Sequence, residues 1–375
     1  MDKVITFADE LHDLDQKGLR RKLRPSLGAL LNFSSNNYLG LARDPRVVAA
    51  AKEAIDTWGS GATSSRLLSG TTELHQKLED ALARFLGREA ALVFPSGYMA
   101  NLAAITTLVG PSDAIVMDRL CHASLVDAAR LSRARLFVYK HADAEDAERV
   151  LARNHGYRRR LLLTESLFSM DGDFAPLPAL LAAAQKHEAL SVVDEAHALG
   201  VWGPQGRGLA AVGEGVTTGW DVVLGTLSKS FGSQGGVVAS SREFIDLLIS
   251  KARSFIFTTG LAPASVGAAL KALEIIEKAD AERVILKQRS SFLLQQLKSC
   301  GLNTLQSRSQ IIPAMFGSIE ATMKVAAALE NKGIYAPAIR PPTVPAGECR
   351  IRFSLTTEHT DEHLKTVIQA MKGVL

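Results

Sequence analysis

Between about residues 45 and 260 the chain alternates short, unbroken apolar runs with longer stretches of helical periodicity, and this alternation constrains the fold more than any other feature. The runs cover residues 91–94, 114–117, 136–139, 161–164, 190–193, 222–225 and 236–239. A strand with one wet face alternates apolar and polar residues. A strand apolar throughout is covered on both faces, the setting of a parallel sheet between helices. The pattern predicts an α/β fold whose large domain holds a mostly parallel sheet sandwiched by helices. Ligands of such sheets bind beyond the carboxyl ends of the strands, so the residues just after each run are the candidates for chemistry.

The flanks read differently. Residues 4–24 have an amphipathic helical pattern, with Phe7, Leu11 and Leu14 on one face, acids early and Lys17, Arg20, Arg21 and Lys22 late; that order complements the helix dipole. Beyond residue 263 a long helical stretch to about 299 leads into strands at 311–316 and 350–354 and a last helix over 361–373. The expected division is an N-terminal arm (1–44), a large domain (45–262) and a small C-terminal α+β domain with its linking helix (263–375). Arg158, Arg159 and Arg160 read as a solvated turn before a strand.

Composition narrows the classes. With 43 basic and 39 acidic residues the net charge is only +4, too little for a dedicated nucleic-acid binder. Cys121, Cys300 and Cys349 are isolated from one another, so neither a disulfide framework nor a metal cluster is expected. No run of 18 apolar residues occurs and the start lacks a signal-peptide core; the expectation is a cytoplasmic protein without a membrane segment.

Four strand ends carry unusual residues. The run at 190–193 ends in Asp194-Glu195-Ala196-His197, and an acid emerging from an apolar strand needs a compensating partner. The tetrapeptide alone resembles a helicase box, but no G-x-x-x-x-G-K-[ST] cradle precedes it. The run at 222–225 ends in Thr226-Leu227-Ser228-Lys229. A lysine among small residues at a strand end is poorly hydrated and suited to act as a nucleophile, although a helix-capping lysine fits as well. After 91–94 come Ser96-Gly97-Tyr98 and a helix opening, the arrangement that presents free N–H groups to a phosphate. His122 follows the run at 114–117; alone it reads more readily as an ordinary structural histidine than as a ligand or stacking platform. An amine, an acid, a phosphate-type turn and a flat aromatic at one edge of a sheet are what pyridoxal phosphate uses.

The sequence resembles the α-oxoamine synthases, fold-type-I enzymes dependent on pyridoxal phosphate. The resemblance runs through NNYLGL (36–41), SSRLLSGTTELHQKLE (64–79), FPSGYMAN (94–101), DRLCHASLVD (118–127), TESLFSMDGDFAPL (164–177), DEAHALGVWGPQGRG (194–208) and TLSKSFGSQGG (226–236). Members join an amino acid to an acyl thioester with loss of CO2. AIRPPTVPAGECRIRFSL (338–355) is similar to the subgroup that takes L-alanine and a pimeloyl thioester, on coenzyme A or an acyl carrier protein, in biotin synthesis.

The resemblance implies that Lys229 holds the cofactor, Asp194 pairs with its ring nitrogen and His122 stacks on the ring. His197 and Ser169 fall near its phenolic oxygen. Gly97 and Tyr98 offer backbone, and Thr226 helps bind the phosphate. Thr258 or Thr259 reaches the phosphate of the partner subunit, because family sites form in a homodimer. Arg340 clamps the substrate carboxylate, and Arg20, Asn36 and Thr343 match positions near the acyl substrate.

Overall fold

The structure is a computed structural model that describes residues 6–211 and 219–374. The chain divides into two compact units, Met1–Ser35 with Met170–Gly172 and Leu286–Leu375, and Asn36–Ser169 with Asp173–Ile285.

The first unit opens with α1 (Phe7–Gln16), capped by Thr6 in a reciprocal capping box with Asp9, and with the short strand β1 (Leu31–Asn32). The helix expected over residues 4–24 is therefore shorter. Its first two positions lie outside the described residues. At its other end Gly18 takes φ +63° just past the cap, a left-handed turn that stops a helix and suits glycine.

The second unit carries a seven-stranded sheet of β2 (Ala90–Phe94), β3 (Ala114–Asp118), β4 (Arg135–Tyr139), β5 (Arg160–Glu165), β6 (Leu190–Asp194), β7 (Val222–Thr226) and β8 (Gly236–Ser240). Each lies within one residue of its apolar run. The order is β2-β8-β7-β6-β5-β3-β4. Neighbours from β7 through β4 are parallel, and β8 runs antiparallel to both β2 and β7. The mostly parallel sheet expected from the apolar runs is what forms. β2, β3, β7 and β8 are buried throughout, whereas the edge strand β4 leaves Val138 52% exposed, because an edge has one neighbour.

Helices cover the sheet. α2 (Pro45–Trp58), α3 (Glu73–Phe85), α4 (Gly97–Leu108), α5 (Ala123–Ser132), α6 (Ala144–Arg153), α7 (Leu177–Lys186) and α8 (Arg242–Lys251) are followed by the single turn α9 (Arg253–Ile256). The long helix expected from residue 263 is two, α10 (Pro263–Ile276) and α11 (Asp280–Ser299). α10 packs on α2 so closely that a Cβ at Gly267 would stand 2.8 Å from Ala50 O. The SSRLLSGTTELHQKLE segment is held by a buried fork in which Arg66 Nη1 and Nη2 donate to Glu79 at 2.9 and 3.0 Å. The same carboxylate accepts the Val93 amide of β2. The arginines before β5 are not merely a solvated turn: Arg158 donates twice to the buried Asp113, and Arg159 donates to Leu108 O.

The first unit adds β9 (Ile311–Gly317), α12 (Ile319–Asn331), β10 (Ile334–Tyr335), β11 (Ala338–Ile339), β12 (Cys349–Ser354) and α13 (Asp361–Lys372). Its sheet is β11-β12-β9, antiparallel, and β1 pairs with β10 in parallel. No helix among the described residues is long and apolar enough to cross a membrane.

In the larger unit His141 bridges two carboxylates, Nδ1 to Asp118 at 3.0 Å and Nε2 to Asp173 at 2.8 Å. Burial opposes its charge, but the two acids prevail and push its pKa up to about 10. A histidine raised in the folded state contributes stability that is complete below its unfolded value near 6.5 and is lost as pH rises through about 10. His141→Gln is expected to cost about 3 kcal/mol at pH 6 and clearly less at pH 10 in urea unfolding; an equal cost at both would contradict the charged bridge.

Candidate active site

The parallel strands point one way, so the carboxyl ends of β2, β3, β5, β6 and β7 share one edge of the sheet. A cavity of about 240 Å³ opens there, lined by Ser96, Gly97, Tyr98, Asn101, His122, Ser124, Glu165, Asp194, Ala196, His197, Gly225, Thr226, Ser228 and Lys229. Seven of the residues singled out in the sequence thus meet in one place: Gly97, Tyr98, His122, Asp194, His197, Thr226 and Lys229.

Each is delivered by local structure. Asp194 is the last residue of β6, buried, with Oδ1 accepting the Ala196 amide and Oδ2 the Asn101 side-chain amide, both at 2.9 Å. These donors stabilise charge at a site that burial alone would disfavour. His122 caps the N-terminus of α5 through its own ring, Nδ1 accepting the Ser124 amide at 3.2 Å. Burial pushes this imidazole below its ordinary pKa, and Lys229 adds to the fall while Asp194 opposes it.

Ser96 caps α4, accepting the Met99 amide, so the first N–H groups of the helix open beside Gly97. β8 begins so close to this turn that a Cβ at Gly236 would lie 2.5 Å from Ser96 O. Thr226 Oγ1 donates to Gly235 O at 2.9 Å and stands 2.7 Å from Ser228 Oγ. His197 Nδ1 lies 2.7 Å from the Tyr38 hydroxyl, which is also 3.2 Å from Asn36 Oδ1; Asn36 is thereby one residue removed from the cavity wall.

Three other expectations in this unit fall outside the lining. Ser169 is buried beyond β5. Thr258 faces Met99 Sδ, and Thr259 forms an isolated bridge with Ser65. Arg20, Arg340 and Thr343 belong to the other unit, where they lie together: Arg340 Nη2 donates to Arg20 O at 2.9 Å, and the Thr343 amide donates to Arg340 O. Arg340 Nε is buried without a hydrogen-bond partner among the described residues, a donor still to be satisfied.

Asn101, Ser124 and Glu165 were not singled out by the sequence pattern, although all three sit in motifs it contains. The signal for Asn101 is an amide in an otherwise apolar turn of α4. For Glu165 it is the same as for Asp194, an acid closing an apolar strand. The two acids are in register on adjacent strands, and Asp194 holds the better donors. Burial, then the Asp194 charge, pushes the Glu165 pKa well up, against the pull of Lys229 and of the His122 amide that it accepts. Its neighbour Glu195 is also buried, accepting Ser166 Oγ and the Leu209 and Ala210 amides; burial lifts it to about 7.

What this edge of the sheet can hold is a flat anionic ring bearing a carbonyl: an amine to hold the carbonyl carbon, a carboxylate for a ring nitrogen, an imidazole plane, and open N–H groups for a phosphate.

Known proteins share this frame. The family described as aminotransferase class I and II matches residues 29–371. An 8-amino-7-oxononanoate synthase of Geobacter sulfurreducens is 45% identical over 98% of this chain and 97% of its own. Among solved structures, a serine palmitoyltransferase from S. paucimobilis with bound PLP and myriocin superposes with a TM-score of 0.92 at 33% identity, covering 98% of this chain and 96% of that one. An 8-amino-7-oxononanoate synthase from Francisella tularensis gives 0.78 at 27% identity, covering 92% and 97%.

Because folding raises the Glu165 pKa, the unfolded chain releases this proton at lower pH than the folded one, so the residue lowers stability as pH rises above about 4.5. Glu165→Gln keeps an acceptor for the His122 amide and is expected to change stability by under about 0.5 kcal/mol at pH 5 and to gain relative to Glu165 at pH 9. Glu165→Leu orphans that amide and should cost about 1–3 kcal/mol. Thermal unfolding of both variants across pH checks the order.

Proposed function

The chain belongs to the aminotransferase class I and II family, and on that premise we propose that it is a pyridoxal-phosphate enzyme condensing L-alanine with a pimeloyl thioester. The products are 8-amino-7-oxononanoate, CO2 and a free thiol, a step of biotin biosynthesis. The observation that carries this reading is Lys229 and Asp194 facing one cavity at the strand ends, in a chain 45% identical to an 8-amino-7-oxononanoate synthase over nearly its whole length.

The residues present fit the cofactor. Lys229 would hold it through Nζ, Asp194 would keep a proton on its ring nitrogen, and His122 would lie against the ring. His197 and Ser169 would serve its phenolic oxygen, and the α4 turn at Gly97 and Tyr98 with Thr226 would take its phosphate. Bound there, pyridoxal phosphate supplies an electron sink for a carbanion at the substrate Cα.

The chain does the rest. Arg340 binds the alanine carboxylate, its buried Nε gaining an acceptor; a guanidinium forks onto a carboxylate as lysine cannot. Lys229 Nζ would take the Cα proton of the substrate. Asn36, Arg20 and Thr343 receive the acyl group. The working form is a homodimer in the cytoplasm in which Thr258 or Thr259 completes the partner's phosphate site. The basic residues Lys17, Arg20, Arg21, Lys22 and Arg24 suit the phosphates of coenzyme A or of a carrier protein, but they fit a solvated face as well, with Lys17, Arg20 and Arg24 paired to Asp13, Asp15 and Glu330.

Steady-state turnover with pimeloyl-coenzyme A and pimeloyl-carrier protein, each with alanine, glycine and serine, tests the reading. Alanine is expected to give the highest kcat/KM by at least about tenfold, a difference of about 1.4 kcal/mol; preference for glycine or serine would contradict it. Lys229→Ala should lower kcat by several orders of magnitude, and Arg340→Lys should raise the KM for alanine at least about tenfold with a smaller change in kcat.

A further inference from the structure

The two walls of the cavity that face the ring are joined by one buried amide. Asn101 is 4% exposed, on the first turns of α4. Its Nδ2 donates both hydrogens, one to Asp194 Oδ2 and one to Ser124 Oγ, each at 2.9 Å. An amide nitrogen cannot accept, so both directions are fixed. Ser124 Oγ, itself 2.8 Å from His122 Nδ1, still has its own hydrogen to give to that nitrogen. The Ser124 backbone N–H, which can only donate, points at the same nitrogen.

We infer that Asn101 is a positioning residue that couples Asp194 to His122 through Ser124 and locks His122 as the neutral tautomer with its proton on Nε2. Nδ1 receives two donors and has no room for a proton of its own. The charged groups around the ring are Asp194 and Asp127, which favour a cation, and Lys229, which disfavours it; burial is the largest influence and also disfavours it. Glu165 takes the His122 backbone amide rather than the ring. The consequence is a neutral imidazole and an oriented carboxylate, neither able to shift without the other, which would serve the cofactor's ring face and ring nitrogen. The inference rests on the assignment of Asp194 and His122 to the cofactor in the proposed function.

Nitrogen-15 spectra of histidine-labelled holoenzyme, with His122 assigned by difference from His122→Gln, test it. The expected pattern is a protonated Nε2 and an unprotonated Nδ1, unchanged from pH 6 to 9. A proton on Nδ1, or titration within that range, would overturn the inference. Asn101→Asp replaces the donor by an acceptor and turns the Ser124 hydroxyl away from His122. It is expected to introduce an Nδ1-protonated population and to lower kcat at least tenfold while the KM for alanine changes less than threefold. A wild-type tautomer with kcat within twofold would overturn it. Ser124→Ala leaves the Asn101–Asp194 bond in place and gives a second reading should Asn101→Asp not fold: His122 should titrate at least half a pH unit higher than in the wild type, and an unchanged titration counts against the coupling. Wild-type enzyme that makes no product from alanine and pimeloyl thioester would defeat the functional reading instead, since the tautomer is read from spectra that require no turnover.

Discussion

A carboxylate buried at the end of a parallel strand is the constraint on which this structure turns. Asp194 is 5% exposed, and a charge so placed persists only where donors replace water. Those donors come from two directions, the Ala196 amide just after β6 and the Asn101 amide on α4. The second fixes where α4 lies over the sheet, and with it the phosphate-type turn at its start. Ser124, the other acceptor of Asn101, fixes the start of α5. One ion thus dictates the placement of two helix N-termini and of the cavity between them.

Two further acids are buried beside it. Glu165, in register with Asp194, has one backbone donor and is pushed well up by burial and by the Asp194 charge; Glu195, facing into the turn at 208–210, has three donors and is lifted to about 7. Three buried carboxyl groups thus stand side by side, and burial is the largest influence raising two of them, Glu165 and Glu195. Buried acids with raised pKa values in a cleft are typical of catalytic sites.

The sheet was legible because covering both faces of a parallel strand leaves a mark that survives in the sequence: unbroken apolar runs such as 222–225 place their strands within a residue. The strand-end residues Asp194, Lys229 and His122 were legible for the same reason, as polar side chains standing at the ends of apolar runs. What escaped was set by partners distant in sequence. Asn101 has its acceptors 23 and 93 residues away, and Arg158 finds Asp113 45 residues back. Helix ends escaped too, because a single Gly18 outweighs the amphipathic pattern on either side of it. In the smaller unit two arginines ten residues apart look alike in sequence, yet Arg350 is consumed by Asp171 and Glu348 while Arg340 keeps a buried donor unmet. Only the resemblance to a family distinguished them beforehand.

The central claim is that Lys229 carries the cofactor at the edge of the sheet governed by Asp194. Borohydride reduction of the pyridoxal-phosphate-loaded protein, followed by peptide mapping, tests it most directly. The pyridoxyl label is expected on the peptide containing Lys229, and its yield should fall sharply in Asp194→Asn. A label on another lysine, or equal labelling of Lys229→Ala, would contradict the account.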